Sequence, residues 1–324
     1  MEDGHGRRKA LVLGATGGIG GEVAAALVRH GWRVVALVRD PDRDVSGKKQ
    51  LTGVERVGGD AMSAADVRRA AEGVQVIIHA VNPPGYRNWG DLVLPMIDNS
   101  IAAAKAVGAK VVLPGTVYNY GPDAFPDLRE DSPQNPVTEK GRIRVELERR
   151  LESASRDGAS AMVVRFGDFF GPVPGNSWFS QGMVTPGKEL AVISYPGKPS
   201  VGHAWAYLPD AGETIARLLD RQDELPPFSR FHFAGEWDAD GTSMTRAIAA
   251  AVGRPETKVK RVPWPLLGLA GLFQQTPREL YKMRYLWNTP VRLDNAALVA
   301  FLGEEPHTPL PAAVAATLKA LNVN

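Results

Sequence analysis

Two cations four residues apart, Lys140 and Arg144, open the chemical reading of this chain. In TEKGRIRVELE, residues 138–148, Thr138 suits a helix N-cap, and Ile143, Leu147 and Leu151 recur at helical spacing. Lys140 and Arg144 therefore share a helix face, where like charges repel. Arg142 and Arg144 have Glu146 and Glu148 one turn on, but Lys140 has no acid at that distance. An unpaired lysine beside an arginine is unfavourable on a plain surface helix, which marks the pair as candidates for a site.

The second chemical pattern is LVLGATGGIGGEVAAAL, a strand, the glycines Gly14, Gly17 and Gly20, and a helix. Gly14 permits a tight turn, Gly17 lets backbone approach a pyrophosphate, and Gly20 permits close helix packing. The helix N-terminus offers amide donors and a positive dipole end. Thr16, Gly18 and Ile19 complete that phosphate-binding loop. In an NAD site an acid about 20 residues past the loop takes the ribose hydroxyls. Here RVVALVRD places Val38 and Arg39 there. Arg39 can grip a 2′-phosphate bidentately with Arg43 nearby, which favours NADP over NAD; the plain alternative is a surface pair of Arg39 with Asp40. Asp60, ending the third strand, is a candidate for the adenine amine or else an ordinary cap on the helix from Ser63.

These residues need a frame. Apolar β-branched runs alternate with helical patterns through the first two thirds: ALVLGA, RVVALV, VERVGGD, VQVIIHAV, KVVLPGT and AMVVRFGDFF, then a helix over 210–220 and the strand FSRFHFAG. That alternation predicts an α/β fold, a doubly wound parallel sheet covered on both faces. Beyond Gly171 proline becomes dense and five of the seven tryptophans occur. The expected division is a dinucleotide-binding Rossmann domain, residues 1–170 plus 201–235, and a smaller interleaved substrate domain, residues 171–200 plus 236–324, closing over the carboxyl edge of the sheet.

Composition narrows the function classes. Hydrophobic residues are 44% and charged ones 23%, with 38 basic against 36 acidic side chains, so the net +2 gives no reason to expect nucleic acid or an anionic membrane as partner. The chain has no cysteine, which excludes disulfides, thiolate metal sites and a cysteine nucleophile. No His/Asp/Glu cluster has metal spacing, so no metal is expected. The N-terminus lacks the pattern of a secretion signal, and a cytoplasmic protein is the expectation. PWPLLGLAGLF, residues 263–273, is too short to span a bilayer and reads as a buried or pocket-capping segment.

GATGGIG, VIIHAV, Asn99, VVLPGT leading to TVYNYGP, RFGDFFGP and YLPDAGETIARLL together resemble the extended short-chain dehydrogenase/reductase superfamily, the NAD(P)-dependent epimerase/dehydratase group. The resemblance covers nearly the whole chain. It implies an NADP(H) site that includes Ala80, Val81 and Lys140, a small-molecule substrate, and a homodimer through residues 92–107 and 138–155. It also implies a Ser/Thr-Tyr-Lys catalytic set, in which Thr116 falls at the hydroxyl, Lys140 at the tyrosine and Arg144 at the lysine. Arg144 can still hold ribose hydroxyls, but the phenol is gone. Three readings stay open. Lys140, its ammonium disfavoured beside Arg144 and out of water, is itself the acid/base; Tyr118 or Tyr120 supplies the phenol; or no proton moves and the fold only binds NADP(H).

The resulting expectation is an NADP(H)-dependent oxidoreductase acting by hydride transfer on a small carbonyl or imine-like substrate. The alternatives are a non-catalytic NADP(H) sensor or a nucleotide-sugar epimerase/dehydratase, for which Arg165, Arg246 and Arg254 would have to meet a diphosphate. His79 reads as a core histidine, His203 and His232 as lesser candidates. Trp178, Phe179, Trp205, Tyr207 and Trp237 line a pocket or form a small core, and Asn82-Pro83-Pro84-Gly85 stiffens the wall near the cofactor.

Overall fold

The computed structural model describes residues 8–45, 47–83, 89–173, 175 and 177–324. Pro84 and Gly85 of the proline loop and the N-terminal residues 1–7 lie outside them. Strands β1 (Lys9–Leu13), β2 (Arg33–Val38), β3 (Val54–Gly58), β4 (Val76–His79) and β5 (Lys110–Thr116) alternate with helices α1 (Gly18–Arg29), α2 (Ala64–Ala70) and α3 (Trp89–Val107). After the short β6 (Asp127–Leu128) and α4 (Glu139–Ser155) come β7 (Ser160–Phe166), β8 (Asp168–Phe170), β9 (Val192–Tyr195), β10 (His203–Tyr207), α5 (Leu208–Asp220) and β11 (Phe228–His232). The remainder is β12 (Glu236–Asp238), α6 (Ser243–Ala251), β13 (Lys258–Arg261), α7 (Trp264–Ala270), α8 (Gln275–Lys282), β14 (Arg292–Leu293), α9 (Ala296–Leu302) and α10 (Leu310–Ala320).

The main sheet has seven parallel strands in the order β3-β2-β1-β4-β5-β7-β11. Strand alternation explains why it is covered twice. Ala10 and Val12 enter one core with α1 and α5, while Leu11 and Leu13 enter another with α3 and α4, and none of the four is more than 1% exposed. The order reverses between β1 and β4, which opens a crevice at their carboxyl ends.

AMVVRFGDFF reads as one strand but is two. Gly167 breaks it where the chain passes so close to β10 that a Cβ would lie 2.3 Å from the Ala204 carbonyl oxygen. β7 stays in the main sheet, and β8 leaves to pair with β10, which β12 flanks on its other side. Around these short strands Phe170, Phe179, Trp205, Trp264 and Trp287 form a third core.

The 263–273 segment corrects the expectation of burial. It forms α7 and the turn after it, with Leu266 64%, Leu269 60%, Leu272 73% and Phe273 85% exposed. Gly268 and Gly271 are notches in which α8 nests, against the Tyr281 ring and the Arg278 backbone, so the hairpin's own packing turns the large side chains outward. On α3 and α4, by contrast, no large hydrophobic side chain is exposed among the described residues, and Arg150 of α4 pairs with Asp98 of α3.

Candidate active site

The glycine loop forms the cofactor end of the crevice. Gly14 sits at φ +89°, and a Cβ there would lie 2.5 Å from the Ala80 carbonyl oxygen. At Gly20 a Cβ would lie 2.3 Å from the Gly14 carbonyl oxygen, so side chains are excluded at both positions. Gly17 caps α1 without a side-chain acceptor, which leaves the first-turn amides of Gly18, Ile19 and Gly20 for an anion. Thr16 and Gly17 are exposed, and Ala80 and Val81 stand half-buried beside the loop. A cradle that any Cβ would fill, at a helix N-terminus, fits a dinucleotide pyrophosphate. Lys48, which sequence reasoning missed, donates its ammonium to the Thr16 carbonyl at 2.6 Å and adds a cation to that rim.

Arg39 is exposed at the end of β2. Asp40 does not pair with it among the described residues: its Oδ1 accepts the backbone N–H of Asp42 at 3.2 Å and of Arg43 at 3.1 Å. Asp60 Oδ1 likewise accepts the Met62 N–H at 2.9 Å, and Ser63 is the true cap of α2. Asn99 donates to the Ala61 carbonyl at 2.9 Å and ties α3 to the same rim.

Past β5 the second part of the site is a cavity of ≈ 210 Å³, whose lining includes Thr116, Tyr118, Asp168, Trp178, Gln181 and Thr276. Thr116 Oγ1 accepts the Tyr118 N–H at 3.3 Å, so this hydroxyl both caps the turn and lines the cavity. Asp168 is the single formally charged side chain of the lining among the described residues. Its Oδ2 is 2.8 Å from His203 Nε2, and the His203 ring stacks on Trp287 at 3.7 Å between centroids and 10° between planes. No local pattern signals this dyad, because strands β8 and β10 bring together residues 35 apart.

The Lys140 to Arg144 face lies behind that lining. Thr138 caps α4 through its Oγ1, and Ile143, Leu147 and Leu151 are buried as the periodicity predicts. Gly141 lets the helix press against the loop: a Cβ would be 2.3 Å from the Tyr118 carbonyl oxygen. Lys140 is not unpaired. Its ammonium is 3.6 Å from Glu279 Oε2 on α8, and Glu279 Oε1 also accepts from Lys282 at 3.0 Å. Burial brings the Lys140 pKa down to about 8 against the opposing pull of Glu279, and the cation that assists is Lys282. Of the two causes expected, exclusion from water is the one that acts, and Lys282 rather than Arg144 is the cation that adds to it.

Arg144 donates to Asn82 Oδ1 at 2.8 Å, and both cations flank the Trp89 ring, Arg144 at 5.0 Å and Lys140 at 5.7 Å from its centroid. The one-turn pairs expected on α4 give way to others: Arg142 pairs with Glu139, while Glu148 is buried against Arg165. Arg144 and Glu148 share the buried face, 4% and 1% exposed, and take the tertiary partners that face offers, Asn82 and Arg165, while Arg142 pairs within its own helix.

The Glu148–Arg165 pair corrects the expectation for Arg165 as well. Arg165 donates to both Glu148 oxygens, at 3.0 and 2.7 Å, and to the Thr116 carbonyl at 2.6 Å, which makes it a buried support beneath β5 rather than a ligand for a diphosphate. Arg246 lies by Asp240 and Arg254 by Glu189, both away from the cavity. Tyr120 is fully buried, its hydroxyl 3.2 Å from His232 Nε2, and His79 is bonded to Ser100 Oγ at 2.9 Å. Burial holds both histidines neutral, near a pKa of about 3. Of the five aromatic candidates Trp178 lines the cavity, Phe179, Trp205 and Tyr207 are core, and Trp237 covers Gly202. Among the described residues there is no metal-binding cluster, and no helix is long and apolar enough to cross a membrane.

Residues 14–154, the glycine loop through α4, match the NAD(P)H-binding family. The whole chain superposes on UDP-glucose 4-epimerase from Bifidobacterium longum in complex with NAD+ and UDP, with a TM-score of 0.75 and 16% identity over 97% of this chain and 98% of that one. The chain has the fold of that epimerase, and its residues 14–154 carry the likeness to NAD(P)H-binding domains. UDP-glucose 4-epimerase from Stenotrophomonas maltophila, with bound NAD, gives the same TM-score of 0.75 at 14% identity, covering 98% of both chains. At such identities the likeness of this Rossmann protein to the epimerases is one of fold. A Streptomyces protein described as 3-diazoavenalumate denitrifying reductase is 28% identical over 183 residues, 52% of this chain and 58% of its own length. The aligned part thus spans little more than half of that relative.

Proposed function

We propose that this protein is an NADP(H)-dependent reductase of a small, conjugated, imine-like acceptor, best in its cationic iminium form. The observation that carries the reading is the cavity charge: Asp168 is the one formal charge of the lining among the described residues. An anionic carboxylate among Tyr118, Trp178, Phe166 and Phe169 attracts a flat cation and repels a diphosphate. That weighs against a nucleotide sugar, in spite of the epimerase fold.

NADPH, when bound, supplies a hydride. An iminium carbon that receives a hydride gains a C–H bond while the π pair of its C=N bond moves onto nitrogen and cancels the positive charge. The product is a neutral amine and no proton is required, so the family tyrosine is dispensable for such an acceptor. The chain's own residues bind and orient. Thr116 and Tyr118 bound the acceptor on one side, Asp168 holds its charge, and the Asp168 carboxylate is itself held by the stacked His203. Reduction at a nitrogen-containing group is also what the name of the Streptomyces relative describes. NADP is favoured over NAD by exposed Arg39 and by Lys48 on the loop, with Asp40 occupied by backbone.

A second reading rests on Lys140, which stands where the family tyrosine would and exchanges its proton near pH 8. In that reading the acceptor is a carbonyl and Lys140 provides the proton. The deciding experiment is NADPH oxidation over iminium salts, imines, aldehydes and ketones, with conversion of UDP-sugars followed separately in the presence of oxidised cofactor. Turnover of iminium salts, with KM raised about tenfold by Asp168→Asn and unchanged for neutral acceptors, is expected. Turnover of UDP-sugars, or cofactor binding with no turnover across the panel, overturns the proposal.

A further inference from the structure

The hairpin of α7 and α8 has two faces with different company. Its inner side supplies Thr276 and Leu280 to the cavity, and Trp264 anchors it by donating its indole N–H to the Pro196 carbonyl at 2.9 Å. Its outer side carries Leu266, Leu269, Leu272 and Phe273, each at least 60% exposed. Leu266 and Leu269 are three apart on one face of α7, and Leu272 and Phe273 follow in the turn after it. Val259, 50% exposed, extends the apolar surface onto β13. Of the large hydrophobic side chains exposed anywhere among the described residues, only Met62 and Val137 lie outside this stretch.

Charge concentrates in the same stretch. Residues 258–284 hold Lys258, Lys260, Arg261, Arg278, Lys282 and Arg284 against the single acid Glu279, which is buried on Lys140. The stretch is +5 in a chain whose total is +2, so the whole-chain balance hides it. β13, exposed at all four positions, runs into α7 through Val262 and Pro263, which puts Lys258, Lys260 and Arg261 at the root of the apolar face. A second copy of this chain would meet the same positive charge and be repelled across the contact. Leucine and phenylalanine projecting from a basic rim instead complement an apolar layer beneath an anionic one.

We infer that the α7–α8 hairpin docks on an anionic lipid bilayer, with Leu266, Leu269, Leu272 and Phe273 inserted below the headgroups and the basic residues of β13 on the phosphate layer. The attachment is peripheral, and it sets one wall of the cavity against the membrane. It does not depend on the identity of the acceptor.

Full-length protein should co-sediment with vesicles of phosphatidylcholine and phosphatidylserine, and much less with phosphatidylcholine alone. Raised salt should release it. Leu272→Ser with Phe273→Ser should weaken binding more than about tenfold, because both side chains lose their apolar burial. Lys258→Ser with Lys260→Ser should abolish the preference for phosphatidylserine while NADPH binding stays unchanged, which shows the fold intact. Three results overturn the inference: no sedimentation with anionic vesicles, sedimentation indifferent to both pairs of substitutions, or a dimer in sedimentation velocity that the Leu272/Phe273 pair dissolves.

Discussion

Lys140 of α4 and Glu279 of α8 face each other at 3.6 Å with side chains only 4% and 11% exposed, across the seam between the Rossmann domain and the hairpin that walls the cavity. Burial lowers the Lys140 pKa by more than Glu279 raises it, to about 8. Replacing Glu279 with Gln removes the raising influence, so Lys140 should lose its proton at lower pH. If Lys140 protonates a carbonyl acceptor, kcat/KM falls above pH 8 and the fall moves down in Glu279→Gln. For an iminium acceptor both profiles stay flat through that region. Stability carries the same signature. Folded Lys140 binds fewer protons than unfolded lysine between about pH 8 and 10.5, so unfolding free energy from this group should rise with pH there, and Lys140→Met should flatten that rise in urea titrations.

Arg39 has no ion pair among the described residues, and Asp40 is engaged by backbone. Arg39→Ala should raise the NADPH Kd about 10- to 100-fold and leave NADH within about twofold, the loss of charge-assisted bonds to a 2′-phosphate. Fluorescence titration with both nucleotides checks it. Equal loss for both would place the phosphate elsewhere.

Glu148 and Arg165 are a fully buried bidentate pair that also holds the Thr116 carbonyl. Glu148→Ala leaves a guanidinium with no counter-charge out of water and should cost about 3–5 kcal/mol in denaturant unfolding. A much smaller cost would mean that water reaches Arg165.

His79 and His232 are held neutral with pKa values of about 3, far below the ordinary 6.5. Unfolded histidine takes a proton that the folded site refuses, so their contribution to stability is present above pH 6.5 and is lost as pH falls toward 3. At pH 5 the loss is about 2 kcal/mol for each. Thermal unfolding from pH 7 to 4 should show it, and His79→Asn should reduce the slope. An unchanged slope would locate the acid sensitivity in the carboxylates.

Local patterns in the sequence determined local structure. Glycines at 14, 17 and 20 between an apolar run and a helical one admit a narrow choice of backbone, and the observed turn at φ +89° is that choice. Thr138 followed by apolar residues at helical spacing defines α4, its cap and its buried stripe for the same reason, since these depend on neighbours within a turn.

Partners distant in the chain were decided by tertiary structure. Lys140 looked unpaired because its acid lies on α8, and Glu148 looked like the mate of Arg144 because burial beside Arg165 leaves no trace within one turn. Asp168 and His203 meet only when β8 and β10 pair. The apolar run at 263–273 has the same letters whether it is buried or exposed. Its side chains point outward because Gly268 and Gly271 give the inner face to α8, a choice made by packing.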